Sequence, residues 1–177
     1  DKKYAELKSH FETAKGTVDF YVYFFEKGIV LLKDNGVLSY ITPNKYLCAN
    51  YGVAVRKYFL DNTRILKMWD VSDSNCFDAA VYPIVTTMIK TIESRKDYDF
   101  TVITRTKHTV CYKSNSLTIL PENIWGFLLS DSFSLVKRII EQSEKLTSVC
   151  KINATSTAGE ADKFHNYISE NKKTENN

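Results

Sequence analysis

Six glycines are spread over 177 residues, and no two of them form a GxG. A chain that cradles phosphate with backbone N–H groups, or turns tightly to admit a ribose-bearing cofactor, needs such glycines. A complete nucleotide-cofactor site within this chain is therefore excluded. The four cysteines, Cys48, Cys76, Cys111 and Cys150, contain no CxxC pair, and no histidine completes a metal-ligand spacing with them. They read as reduced thiols of a cytoplasmic protein, and no metal is expected. His10, His108 and His165 stand in polar surroundings without a Ser/His/Asp or Cys/His arrangement, so they read as solvated side chains. Long apolar runs are missing too. The richest, "VDFYVYFFEKGIVLL" at 18–32, is interrupted by Asp19, Glu26 and Lys27, which is too charged and too short to cross a bilayer. No signal peptide is visible, and no membrane partner is expected.

What remains is the composition of a soluble globular chain, 44% hydrophobic and 25% charged, with room for one domain of ordinary size. A net charge of +3 permits a nucleic-acid partner without arguing for one, because a phosphate-binding stripe requires clustering. The chain opens at Asp1 in charged, helix-like sequence, "DKKYAELKSHFE", as expected of a section of a longer polypeptide.

Periodicity organises the rest. A short helix is expected over 4–12. From Val18, apolar residues recur at three- and four-residue steps through Tyr21, Phe24, Phe25, Gly28, Leu31 and Leu32, and Gly36 stands where a helix C-cap is wanted. "VLSYI" then reads as a buried strand stopped by "TPN". A second helix is expected over 50–60, with Tyr51, Val55, Tyr58 and Phe59 on one side and Arg56, Lys57 and Asp61 on the other. "RILKMWDV" at 64–71 and "YPIVTTMIKTI" at 82–92 read as strands, the second tolerating Pro83 at its start. "YDFTVITRT" and "HTVCY" read as a peripheral hairpin. "ILPENIWGFLLSDS" reads as loop, and "FSLVKRIIEQSEKL" at 133–146 as an amphipathic helix capped by Asp131 or Ser132. This rhythm is that of a layered α/β sheet. A boundary is expected near residue 120, followed by a helical section over 121–168 and a disordered tail over 169–177.

The order of these pieces is recognisable. "KGTVDFYVYFFEKGIVLLKDNGVLSYITPNKYLCANYGVAVRKYFLDN" followed by "NCFDAAVYPIVTTMI" closely resembles the adenine-specific DNA methyltransferases of restriction-modification systems, in the TaqI-like and fused restriction-methylase class. The resemblance covers roughly residues 1–92. It implies the later half of a Rossmann-like methyltransferase sheet with flanking helices and a peripheral hairpin. It further implies S-adenosylmethionine as cofactor, double-stranded DNA as partner, and transfer of a methyl group to N6 of adenine. The family's catalytic (D/N)PPY tetrapeptide and its cofactor glycine turn are absent. "PNKY" at 43–46 has one proline, misplaced, after a different strand, and no catalytic residue is assigned. The fragment alone is expected to be inactive, with the edge of "VLSYI" covered by self-association or by another segment.

Position by position, the resemblance assigns Phe77, in the "NCFDAAVYP" loop, to stacking on the extruded target adenine. Asp78, Ala79 and Ala80 leave space beside it, and Tyr82 and Pro83 stiffen the exit. Flipping a base out costs a few kcal/mol, and stacking on an aromatic returns about 1–3 kcal/mol. An aromatic face also stabilises the positive charge that N6 gains as it attacks. Phe24 matches the aromatic that packs on the adenine ring of the cofactor, although its helical spacing equally fits a core residue. Lys45, Arg105 and Lys107 are candidates for phosphate contact. "LTSVCKINATSTAGEADKF" at 146–164 resembles the start of a target-recognition region. The rival readings are a non-catalytic DNA-binding specificity subunit and an interaction module with no nucleic-acid role.

Overall fold

The computed structural model describes residues 8–74, 77, 81–91, 97–119 and 124–151. The chain divides into two compact units, Asp1–Glu141 and Gln142–Asn177. In the first, helix α1 (Phe20–Leu31) leads into strand β1 (Val37–Pro43), a single 3-10 turn (Asn44–Leu47), helix α2 (Gly52–Asn62) and strand β2 (Thr63–Asp70). Strands β3 (Pro83–Lys90), β4 (Asp99–Ile103) and β5 (Thr109–Lys113) follow, then 3-10 turns at Ser114–Leu117 and Trp125–Leu129 and helix α3, Phe133–Gln142. In the second unit the described residues include one short helix, α4, Leu146–Val149. No helix among the described residues is long and apolar enough to cross a membrane.

The five strands form one sheet in the order β1-β3-β2-β4-β5. β3 lies antiparallel between β1 and β2, β4 runs parallel to β2, and β5 returns antiparallel to β4. β1, β2 and β4 therefore all point the same way, and their carboxyl ends share one edge of the sheet. The segment through α2 that joins β1 to β2 is the crossover that parallel strands require. Among the described residues β1 pairs only with β3.

Burial alternates along the strands because the described helices cover one face. Leu38, Ile84, Met88, Ile65 and Met68 point into the core, while Val37, Ile41 and Trp69 are exposed. The core centres on aromatic rings from separate elements. Phe25 of α1 meets Tyr46 at 5.4 Å and Phe59 of α2 at 4.9 Å, and Phe59 meets Trp125 at 6.3 Å. Centroid spacings in this range are those that edge-to-face and tilted pairs prefer. The polar atoms that go in with the rings are satisfied, since the Tyr46 hydroxyl bonds Thr86 Oγ1 at 2.6 Å and Trp125 Nε1–H donates to the Leu117 carbonyl at 2.9 Å. The buried Glu26 carboxylate accepts from the Glu12 N–H, the Thr13 N–H and the Thr13 hydroxyl, fastening the segment before α1 onto that helix.

The elements expected from periodicity are present with several differences. α1 turns a different face inward: Val22, Tyr23, Phe25, Glu26 and Ile29 are buried, whereas Phe24 and Leu31 are exposed. α1 is apolar nearly all round, so spacing alone does not say which stripe meets the sheet. The helix ends at Leu31 with Leu32 as C-cap, and the left-handed residue is Asn35 at φ 61°, not Gly36. β1 continues through Thr42 and Pro43, because a proline at the last strand position gives up no ladder bond that matters. Arg56 is not on a solvated side of α2 but is 1% exposed. "IWGFLLS" contains the helical turn Trp125–Leu129, and α3 stops at Gln142. Residues 8 and 9 of the first expected helix are helical. Its remainder in 1–7, the loop residues 75, 76 and 78–80, His165, the recognition-like sequence beyond 151 and the tail lie outside the described residues.

Candidate nucleic-acid interface

Ligands of open α/β sheets bind beyond the carboxyl ends of parallel strands, and that edge collects four of the five residues singled out in the sequence. Residues 71–82 leave β2 and return into β3, and each end of this loop is tied to its neighbour. The Val71 N–H donates to the Pro83 carbonyl at 3.1 Å, and the Asn44 N–H, just past β1, donates to the Tyr82 carbonyl at 2.9 Å. The loop opens on a side-chain turn in which Asp70 Oδ1 accepts from the Ser72 N–H at 2.9 Å and from its hydroxyl at 2.5 Å, the local geometry that Asp favours at a chain reversal. Phe77 stands in this loop with 48% of its surface exposed, so its ring is not folded under the sheet.

Arg105 and Lys107 lie on the β4–β5 turn. That turn is closed by bonds from the Thr104 N–H to the His108 carbonyl and from the Lys107 N–H to the Thr104 carbonyl, both at 2.9 Å. It places Lys107 in the left-handed region at φ 62°, which a non-glycine residue adopts at some cost. Both side chains line a cleft of about 550 Å³ together with Trp69, Asp70 and Asp73. The Arg105 guanidinium is engaged, with Nε donating to Asp73 Oδ1 at 2.5 Å, whereas the Lys107 ammonium makes no described hydrogen bond or ion pair. Lys45 sits in a second cleft, of about 610 Å³, on the other side of Asp70. It too is exposed and makes no described side-chain bond. The three cations are thus divided between two clefts that share one carboxylate.

Phe24 is on α1, which runs against β1 so that its first turn meets the end of that strand: the Tyr21 ring lies 6.4 Å from Tyr46, and the Tyr21 hydroxyl bonds that of Tyr51 at 2.7 Å. At 64% exposure the Phe24 ring is spare of the core. Burial pushes the Tyr21 phenol well above its usual range, helped by the hydrogen bond with Tyr51. Burial also raises Tyr46, against the smaller opposing effects of its hydrogen bond with Thr86 and of Arg56. Both are neutral hydroxyls at any physiological pH. Since Tyr46 is wholly buried, "PNKY" presents no tyrosine to a substrate.

Three contributors escaped the sequence reading. Asp70 ends an apolar strand with a carboxylate, and that contrast was a usable signal. Phe127 is hidden in a stretch that reads as loop. Arg56 fills the space under residues 44–49, where its Nη1 donates to the Tyr46 carbonyl at 2.5 Å and reaches the Ala49 carbonyl at 3.5 Å. Gly52 makes room for this brace, since a Cβ there would stand 2.1 Å from the Tyr46 carbonyl oxygen. No group of His, Cys, Asp and Glu among the described residues is arranged to hold a metal.

Residues 1–77 match the family of Eco57I restriction-modification methylases. The chain is 36% identical over 67 residues to the type II methyltransferase M.BanIII of Aneurinibacillus aneurinilyticus, a match covering 38% of this chain and 12% of that protein. It is 30% identical over 105 residues to the type II methyltransferase M.BstVI of Geobacillus stearothermophilus, covering 58% of this chain and 18% of that protein. The chain thus spans less than a fifth of the length of these curated relatives. The crystal structure of the type IIG restriction endonuclease BpuSI superposes with a TM-score of 0.53 at 15% identity, over 85% of this chain and 20% of that one. The fold is that of a methyltransferase-like α/β sheet, and the kinship with restriction-modification methyltransferases expected from the motifs is borne out.

Proposed function

We propose that this relative of the restriction-modification methyltransferases is the later half of a DNA adenine-N6 methyltransferase, with Phe77 stacking on the extruded target adenine. The observation that carries the reading is the exposed Phe77 ring, on a loop anchored to the ends of β1 and β2, where a ligand of this sheet belongs. A stacked aromatic face offsets part of the cost of extrusion and favours the charge developing on N6. Lys45 and Lys107, uncommitted and exposed at the same edge, supply phosphate contacts, and Arg105 joins them only by leaving Asp73.

S-adenosylmethionine supplies the methyl group when bound. The described residues fit it at one point, the outward ring of Phe24, whose exposure leaves a flat apolar surface for the cofactor's adenine. The chain holds neither a glycine turn for the rest of the cofactor nor a (D/N)PPY tetrapeptide, so alone it is inactive. The open edge of β1 and the exposed Val37 and Ile41 beside it take a further strand, from another segment of the enzyme or from a second copy of the chain. Such an enzyme works in the cytoplasm.

Methyl transfer from labelled S-adenosylmethionine to duplex DNA by the intact enzyme, followed by nucleoside analysis, tests this. The expected product is N6-methyladenine. Recovery of methylcytosine, or no transfer by the intact enzyme, overturns the reading.

A further inference from the structure

Apart from Lys45, the residues lining the cleft between residues 44–49 and the Trp125–Leu129 turn have no role in the account above. One wall is the turn carrying Lys45, held from beneath by Arg56. The other is fixed by Trp125, fully buried and bonded to Leu117. Gly126 lets the walls approach, since a Cβ there would stand 2.2 Å from Cys48 Sγ. Both walls belong to the same compact unit, so the space between them is largely preformed, as small-ligand sites are.

Its lining is mainly apolar, with Leu47, Phe127 and Leu129 beside four polar side chains, Asn44, Lys45, Asp70 and Ser130. Phe127 exposes 39% of its surface, an aromatic face that the core does not use. The described bonds of Asp70 use only Oδ1, which leaves Oδ2 as an acceptor for an N–H donor. A mainly apolar cleft with an aromatic wall, a carboxylate acceptor, an amide and a cation has the chemistry for a nucleobase and its phosphate. Its mouth lies beside the anchor of the Phe77 loop, because Asn44 contributes both the cleft lining and the bond to Tyr82.

We propose that this cleft is a second nucleobase site, taking an unstacked base that carries an exocyclic amine, with Phe127 stacking on the ring, Asp70 accepting from the amine and Lys45 meeting the phosphate. It rests on the DNA-methylating reading and deepens it: the enzyme holds a base besides its target. Thymine, which lacks the amine, is disfavoured there.

Cys48 lines the cleft and is exposed, and Cys111 and Cys150 are exposed elsewhere, so thiol alkylation of the 177-residue chain reads occupancy with internal references. Deoxyadenosine and deoxycytidine monophosphates are expected to slow alkylation of Cys48 and leave Cys111 and Cys150 unchanged. Thymidine monophosphate should need about tenfold more ligand for the same protection. Phe127→Ala should weaken protection roughly 5- to 150-fold, and Asp70→Asn should erase the preference over thymidine while leaving the fold intact by circular dichroism. Absence of protection by all three nucleotides, or equal protection by thymidine, overturns the proposal. Filter retention of duplex DNA by the intact enzyme separates the two levels. Salt-sensitive retention with Cys48 unprotected refutes this site and leaves the methyltransferase reading standing, while absence of retention refutes both.

Discussion

Replacing Arg56 with methionine tests whether one buried cation organises the end of β1. The substitution keeps an unbranched apolar stem of similar length in α2 and removes the donors that reach the Tyr46 and Ala49 carbonyls. Two effects compete. Removing a guanidinium that is 1% exposed relieves its desolvation, which is why well-packed apolar replacements of buried ions are sometimes neutral. Against this, the Tyr46 carbonyl loses a charge-assisted bond of 2.5 Å, and a buried acceptor left without its donor costs about 1–3 kcal/mol. The second effect should win, because methionine brings no donor to the Tyr46 carbonyl. The expected result is a loss of about 1–3 kcal/mol in urea unfolding. Hydrogen exchange should also rise more at Cys48 and Ala49, whose N–H groups bond the Lys45 carbonyl, than along β3. Arg56→Lys should fall between, since one ammonium cannot reproduce the fork. Unchanged unfolding together with unchanged exchange at Cys48 and Ala49 would refute the brace.

Further outcomes follow from the same geometry. Gly52→Ala should destabilise by more than about 2 kcal/mol, because the new Cβ meets backbone at 2.1 Å and neither partner yields cheaply; a thermal melt equal to that of the parent would contradict this. The Tyr21 and Tyr46 phenols are raised in the folded state, while unfolded tyrosine ionises near about 10. Stability is therefore complete below that pH and is lost as pH climbs above it. Phenolate absorbance should show a late fraction of tyrosines ionising together with loss of circular dichroism, and smooth ionisation of every tyrosine without unfolding would count against it. In duplex binding by the intact enzyme, Lys45→Ala and Lys107→Ala should each lower the log-log salt slope by about 1, and Arg105→Ala by less because its guanidinium is held by Asp73. Equal changes for all three would show that this ion pair does not restrain Arg105.

Much of this was legible in the sequence because local signals agreed with the fold. Short apolar runs at 37–41, 64–71 and 82–92 gave three strands within two residues of their observed bounds, and the resemblance in the same stretch named the sheet they build. Long-range geometry was not legible. Strand order depends on which edges meet, and nothing local says that β3 inserts between two parallel strands. α1 misled because it is apolar on both faces, and only the position of the sheet decides that Phe25 goes in and Phe24 stays out. Arg56 misled for the opposite reason. A charged residue beside Val55 reads as solvated, and the carbonyls awaiting it belong to a turn several residues away in another element. For the proposed site, the sequence singled out Phe77 as an isolated aromatic in a polar loop, and the structure leaves it exposed, whereas Asp70 and Phe127 stand out only once two clefts are seen to share that carboxylate.

The most direct test of the central claim compares methyl transfer by the intact enzyme carrying Phe77, Phe77→Ala and Phe77→Trp. With nearly half of its surface exposed, Phe77 contributes little to the core, so all three should unfold alike. Loss of stacking should lower kcat/KM of the alanine variant roughly 5- to 150-fold, and tryptophan should restore most of it. An alanine variant as active as the parent, or a tryptophan variant as impaired as alanine, would contradict a base stacked on this ring.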